Sequence, residues 1–380
     1  MNFTKRTLGV VAVTGLAALG IAGSAQADPA TPSDTALVAV GSDTTQDVMD
    51  GLAAAIDGGN TLFNYKATGG GTITTRTAAH APCAAFHRPN GSGDGKNALL
   101  SAVGNQAVGA NYPTALRDGT TLCVDVARSS SSGFPAGAAG SFAYRRYEFA
   151  TDAVTYAHLQ ASSVASKLSI ADVKKYYAAN GTPGTAACFN KRPLIPQSGS
   201  GTRGFWATVM GLTDTLLTDP TVGTAGHWGT CVRDTTDGVI GSTNIIEEHN
   251  GTVLTSPQSL VPFSVAQYIS QQGGIAAADV RGNASLGSID WTATTGSATT
   301  NVTAPVLLQT TFGAGARTVY NFVAKDAAVA GNTAGTGVPF NAAVATTFEG
   351  PTSSVCTNSA VITRYGFGID PNCGAFVDGP

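Results

Sequence analysis

The sequence predicts an α/β protein built in two lobes, and three observations predict it. Short β-like runs alternate with helix-like runs, the pattern of a parallel sheet with crossover helices. The 380 residues exceed what one hydrophobic core usually serves. Several apolar runs end in a Gly/Ser/Thr turn that opens a helix, and in open α/β sheets such turns gather where ligands bind.

Lys5 and Arg6 form a short basic region before the apolar stretch Leu8 to Ile21, and Ala25-Gln26-Ala27 supplies small residues for cleavage. Residues 1–27 are therefore expected to be a cleaved signal peptide. The apolar stretch is shorter than the roughly 20 residues that span a bilayer. No Cys follows it for acylation, so the expected product is a secreted, extracellular chain from Asp28 onward with no membrane anchor.

From there the elements follow in order. Ala36 to Val40 has buried-strand length, Gly41 to Thr45 reads as a turn with capping residues, and Val48, Met49, Leu52 and Ile56 fall at helical spacing. Phe63 to Ala67 reads as a second strand. Asn90 to Gly95 leads into a helix through Leu99 and Val103, and Leu122 to Ala127 is a strand ending in Arg128-Ser129-Ser130. A second series begins with the alternating run Phe149 to Tyr156. Ser169 caps a helix to Ala179, Pro193 to Pro196 is a short strand, and a helix runs through Phe205 to Met210 after Gln197-Ser198-Gly199-Ser200-Gly201-Thr202-Arg203. Val261 to Ile269 reads as a strand, residues 282–303 as a long surface loop, and Val306 to Leu308 and Thr318 to Val323 as later strands.

Charge narrows the partners. Removing the leader leaves 19 of the 21 basic residues against 24 acidic ones, so there is no electrostatic footprint for nucleic acid. Six cysteines in an exported chain read as three disulfides, and neighbour pairing of Cys83 with Cys123, Cys188 with Cys231 and Cys356 with Cys373 is the simplest of the possible connectivities. His80 and His87 flank Cys83, but no C-x-x-C occurs, so no metal or other cofactor is expected.

Four turns carry the candidate chemistry. Ser42, Asp43, Thr44 and Thr45 form the first, Gly91, Ser92 and Gly93 the second, Arg128, Ser129 and Ser130 the third, and Ser198, Gly199, Ser200, Gly201, Thr202 and Arg203 the fourth. A helix N-terminus leaves amide hydrogens unpaired and carries partial positive charge, so it attracts anions. Glycine lets backbone approach a ligand, hydroxyls add donors, and Arg128 and Arg203 are natural charge partners for an oxyanion. Each turn alone is also an ordinary N-cap, so the argument rests on four occurring together. Gly199-x-Gly201-x-x-Gly204 matches a dinucleotide fingerprint, but a lone mid-chain match in an exported protein is weak. A Walker loop and a G-x-S-x-G elbow are both missing.

At these turns the chain resembles the phosphate-binding branch of the type 2 periplasmic binding proteins, the receptors of ABC-type phosphate uptake. Leu37 to Thr45 resembles the family's opening ligand loop, and Gly91 to Gly95 its second. Ala127 to Ser130 falls on its Gly-Ala-Ser-Asp segment, and Ser198 to Thr202 on its Ser-Gly-Thr loop. The tail from Phe348 to Cys373 looks more like an exported actinobacterial subfamily. The family's proton-accepting aspartate falls on Ser130 and its arginine on Pro196, leaving Asp43 as replacement acceptor and Arg128 or Arg203 as replacement charge.

The resemblance implies a first lobe over residues 28–145 and 306–380, a second over 146–305, and a hinge at the crossings. It implies a binding protein for phosphate or a related small oxyanion, not an enzyme, with an ABC-type permease as partner. A secreted binding or adhesion protein on the same scaffold is the alternative. A phosphatase would need a metal-ligating cluster or an activated nucleophile, and the sequence shows neither.

Overall fold

The computed structural model describes residues 28–134, 144–181, 188, 192–291, 313–331 and 336–379. The expected leader, the expected strand Val306 to Leu308 and the later part of the expected loop 282–303 lie outside the described residues. Among those described, no helix is long and apolar enough to cross a membrane.

One large mixed sheet organises the chain. Its first part is parallel: β1 (Leu37–Gly41) pairs with β2 (Leu62–Asn64) on one side and β7 (Val126–Ser129) on the other. Three two-residue or three-residue ribbons stand apart from it: β3 (Thr72–Ile73) with β4 (Phe86–His87), β5 (Arg117–Asp118) with β6 (Thr121–Leu122), and β9 (Lys167–Ser169) with β13 (Ser288–Asp290). The spine is β8 (Tyr144–Leu159), whose Tyr144 to Ala153 pairs antiparallel with β14 (Ala316–Ala324). Its Val154 to His158 pairs antiparallel with β11 (Ser259–Ser264), which lies parallel to β10 (Arg192–Pro193). The short strands β12 (Ala284–Leu286), β15 (Gly368–Ile369) and β16 (Phe376–Gly379) also pair with β8. The expected parallel pairing with crossover helices holds for β1, β2 and β7, and the whole sheet is mixed because the two longest strands run antiparallel to each other.

The sheet joins two main hydrophobic cores. The larger gathers β1, β7, β14, the first half of β8, the helices Gln46–Asp57 and Ser92–Gly104, and the C-terminal tail through Phe348, Ile362 and Phe367. The second is built on Val154, Tyr156, Tyr177, Trp206, Trp228 and Leu260. Leu194, Ile246, Val261 and Phe263 extend it. The change of core falls within β8, between Ala150 and Val154. Each disulfide pairs neighbouring cysteines, as the simplest connectivity predicts.

Two local expectations change. The apolar run Val261 to Ile269 is a strand only to Ser264, and Val265–Gln272 is a helix. The Ser264 hydroxyl accepts from the Gln267 amide, so a capping bond ends the strand and starts the helix. Residues 284–290, expected within a loop, form β12 and β13, held by pairing that no local pattern announces.

Candidate functional site

The four turns meet. The Ser42 amide donates to the Arg128 carbonyl at 3.1 Å, and the Gly93 amide to the Gly199 carbonyl at 2.8 Å. The Ser130 amide donates to Ser92 Oγ at 3.0 Å, and the Ser92 and Ser130 hydroxyls lie 3.3 Å apart. Thr44 Oγ1 and Thr202 Oγ1 are 3.3 Å apart.

Glycine makes this approach possible. A Cβ on Gly95 would stand 2.5 Å from the Gly41 Cα, and one on Gly201 would stand 2.3 Å from both the Ser92 and Ser130 hydroxyls. Each is closer than real Cβ contacts allow, so a side chain at Gly95 would displace backbone and one at Gly201 would turn the two hydroxyls aside.

The two arginines expected to face a ligand are committed elsewhere. Arg128 is fully buried and holds the end of β1, donating to the carbonyls of Ala39 (3.1 Å), Tyr65 (2.9 Å), Gly41 (3.2 Å) and Ser42 (3.3 Å), and to Asn64 Oδ1. Burial brings its guanidinium down to about 10, against the pull of Asp50, Asp43 and Asp47. Arg203, also fully buried, bonds Asp214 Oδ1 at 2.7 Å, Asp234 Oδ2 at 2.9 Å and the carbonyls of Pro196 and Thr215. Guanidinium donors spent on fixed protein acceptors are not open to a ligand. Ser200 caps its helix by accepting from the Arg203 amide at 2.9 Å, Ser129 turns its hydroxyl back to the Ser131 carbonyl, and Ser198 is exposed.

The charge at the junction comes from Arg317 on β14, which sequence reasoning passed over. Its Nη2 donates to Thr202 Oγ1 (3.0 Å), Thr44 Oγ1 (3.3 Å) and Asp152 Oδ2 (2.9 Å), and its Nε to Asp152 Oδ2 (3.1 Å). Asp152 Oδ1 accepts from Ser264 Oγ and the Ala266 amide, so this ion pair ties β8 to β14 and to the helix after β11.

Glu248 and His249 complete the network. Glu248 Oε2 accepts from Thr44 Oγ1 at 2.8 Å and Thr202 Oγ1 at 3.1 Å. Burial raises the Glu248 carboxyl, but the hydrogen bond from His249, with the charge of Arg317 nearby, holds it below its usual range. His249 Nδ1 lies 3.1 Å from the Ser264 amide, which can only donate. The ring proton therefore sits on Nε2, which faces Thr44 Oγ1 at 2.9 Å and Glu248 Oε2 at 3.1 Å. Thr44, His249 and Glu248 look like a nucleophile, base and carboxylate, but the hydrogen bonds run the wrong way. A general base needs a free Nε2 lone pair and a carboxylate on the Nδ1 side.

Five buried polar atoms of this region have no partner among the described residues: Ser42 Oγ, Thr45 Oγ1, Arg317 Nη1, Glu248 Oε1 and, beside Glu247, Gln197 Oε1. Three can donate and two accept.

Beside the junction lies a cavity of about 240 Å³, lined by Asp43, Asp47, Glu247, Glu248, His249, Lys66 and several side-chain amides. Burial first, then the charges of Glu248, Glu247 and Asp47, push the Asp43 carboxyl well above its usual range. Burial also raises Asp47 and Glu247. Glu247 is braced by Asn90 Nδ2 (3.0 Å to each oxygen) and Gln197 Nε2 (3.2 Å). Asp43, Glu248 and His249 place potential metal-ligand atoms within 4.8 Å of one another. The Glu247-Glu248-His249 run was visible in the sequence as adjacent carboxylates and an imidazole, and it was the signal that reading missed.

No protein-family model matches the chain, and no curated protein matches it significantly. Among solved structures it is similar to an ABC-type phosphate transport receptor from Vibrio cholerae, with 13% identity and TM-score 0.45 over 88% of this chain and 100% of that one. PstS from Borrelia burgdorferi is similar at 12% identity and TM-score 0.37 over 88% and 98%. A high-affinity periplasmic phosphate-binding protein solved with phosphate, PfluDING, is similar at 12% identity and TM-score 0.42 over 89% and 91%. All three scores lie under 0.5, so these likenesses give this chain neither a ligand nor an activity.

Proposed function

We propose that this chain is an exported, two-lobed solute-binding protein that closes over a small oxyanion, phosphate or a relative, at the junction of the four turns. Its lobes are those that the resemblance implies, residues 28–145 with 306–380 and residues 146–305, with β8 and β14 as the crossings; the larger core runs on along β8 to Ala150. The observation that carries the reading is the meeting of turns from both cores around buried donors without partners: Ser42 Oγ, Thr45 Oγ1 and Arg317 Nη1. Buried hydroxyls and a guanidinium nitrogen without acceptors favour an anionic one. Arg317 takes the place that Arg128 and Arg203 were expected to fill. The His249 tautomer speaks against hydrolysis and for binding alone. Delivery to an ABC-type permease rests on the loop resemblance.

Isothermal titration of the mature chain with phosphate, sulfate and organic phosphates tests the reading. One charge-assisted hydrogen bond is worth about 1.5–3 kcal/mol, so Arg317→Gln is expected to weaken the bound oxyanion at least about tenfold. Because that change also strands Asp152, Thr45→Val serves as a second variant that leaves the ion pair intact. Oxyanion binding unaffected by either substitution, or no oxyanion binding at all, overturns the proposal.

A further inference from the structure

The acidic cavity beside the junction has a chemistry that an oxyanion binder does not need. Four carboxylates line it, from Asp43, Asp47, Glu247 and Glu248, against one lysine, Lys66. Arg128 acts on Asp43 and Asp47 from behind and Lys66 on Asp47, but after burial the larger influences on Asp43 are the neighbouring acids. Such a group of like charges is costly to bring together unless something positive joins it.

A second observation points to what that is. Glu248 is 2% exposed, yet its Oε1 has no hydrogen-bond partner among the described residues. Its other oxygen is fully engaged by Thr44 and Thr202, so the carboxylate is fixed in orientation with one bare oxygen. Asp43 brings a carboxylate oxygen within 4.8 Å of a Glu248 carboxylate oxygen. Two carboxylate oxygens at that separation, one held rigidly by its own hydrogen bonds, are the start of a metal-ligand shell.

We propose that Asp43 and Glu248 Oε1 bind a divalent cation in this cavity, with Glu247 and Asp47 adding charge around it. The cation is a hard one, Ca²⁺ or Mg²⁺, because the ligand atoms offered are carboxylate oxygens. His249 is not a ligand. Its Nδ1 is occupied by the Ser264 amide and its Nε2 carries the proton, so it steadies Glu248 from outside the shell. This separates the site from a zinc centre, which takes nitrogen or sulfur ligands.

The test uses the mature chain in phosphate-free buffer, so its outcome is independent of whether an oxyanion binds. Titration with CaCl₂ and with MgCl₂ is expected to show one site, with a dissociation constant of roughly 0.1–1 mM as in extracellular calcium modules, and a rise in melting temperature. Asp43→Asn removes a direct ligand and Glu247→Gln a neighbouring charge. Each is expected to weaken the cation by about 10- to 100-fold, while Asp219→Asn, outside the cavity, leaves it unchanged. Both carboxylate variants keep the Thr44–Glu248–Arg317 network, so folding is retained for the comparison. Failure of both cations to bind at 10 mM, or equal binding by Asp43→Asn, overturns the proposal (about tenfold above the expected range). Tight binding of ZnCl₂ with none of calcium or magnesium overturns it as well, since it would make His249 a ligand.

Discussion

The junction and the acidic cavity lie side by side, and they differ in what they leave unfinished. At the junction the unfinished groups are donors, Ser42 Oγ, Thr45 Oγ1 and Arg317 Nη1. In the cavity they are acceptors, above all Glu248 Oε1 and the carboxylate of Asp43. Thr44 and Glu248 stand on the border, where a 2.8 Å hydrogen bond joins the two sets. The difference teaches that one polar cleft can present opposite surfaces a few ångströms apart, provided that an ion pair fixes the border. Asp152 with Arg317 is that pair: Arg317 Nη2 donates to the hydroxyls of Thr44 and Thr202, which leaves both to donate toward Glu248.

The largest expected effect therefore comes from breaking the pair. Asp152→Ala leaves Arg317 buried and uncompensated, and also takes the acceptor from Ser264 Oγ and the Ala266 amide. It is expected to cost about 3–5 kcal/mol, read as a shift of the urea midpoint at unchanged slope. A loss under about 1 kcal/mol would mean that the border is solvated and the two surfaces are not held apart.

Next in size is Gly95→Ala. Its new Cβ would meet the Gly41 backbone at 2.5 Å, and backbone cannot rotate out of the way. About 1–3 kcal/mol of destabilisation is expected from overpacking, with the cavity left intact. Gly201→Ala makes a sharper comparison, because it meets two serine hydroxyls that can turn aside. It should cost less stability than Gly95→Ala yet impair oxyanion binding more, since it pushes Ser92 and Ser130 apart. The reverse order, seen by thermal melts and titration together, would place the ligand away from these serines.

How much of this was legible beforehand follows from the range of each interaction. The strand-turn-helix units at Leu37 to Ile56 and at Ser198 to Met210 are written locally, in apolar runs, glycines and capping hydroxyls, and each formed where the pattern placed it. The neighbour disulfides were legible for the same reason. The helix after β11 was misread because Val265, Ala266 and Ile269 continue an apolar run that fits strand and helix alike. Ser264 followed three residues later by Gln267 is a capping-box signature and was the available signal. The roles of Arg128 and Arg203 were misjudged because position beside a turn does not tell which way a side chain points. Arg317 was out of reach for a stronger reason: its partner Asp152 is 165 residues away, and only the pairing of β8 with β14 brings the two together.

Protonation separates the two regions in opposite directions. Burial raises Asp43, Asp47 and Glu247, and lifts Asp50, which meets Asn64, to about 7. A carboxyl whose folded value stands above its unfolded one favours the folded state when protonated, so stability falls as pH rises from about 4 through 7. Glu248, held below its usual range, has the other sign: its contribution is full above about 4.5 and is lost as pH falls below that. Asp50→Asn keeps the acceptor for Asn64 Nδ2 and removes one raised acid. Its melting temperature is expected to exceed that of the parent at pH 8 and to match it at pH 4. An equal gain at both values would trace the effect to packing instead of charge.

The smallest stability effect is expected at Thr45, and it tests whether unfinished donors are there for a ligand. Thr45 Oγ1 is buried and bonds nothing among the described residues, so valine, which has the same shape without the hydroxyl, removes an unpaid desolvation. Thr45→Val should lie within about 1 kcal/mol of the parent or slightly above it. Thr44→Val, one residue away, strips Glu248 and His249 of a shared partner and should be clearly less stable. If the Thr45 hydroxyl exists to meet an oxyanion, the valine variant will fold as well and bind worse, a combination that a purely structural threonine cannot give. A variant that loses stability and binding in proportion would instead assign Thr45 to the scaffold, and the donor-rich face of the cleft would shrink to Ser42 and Arg317.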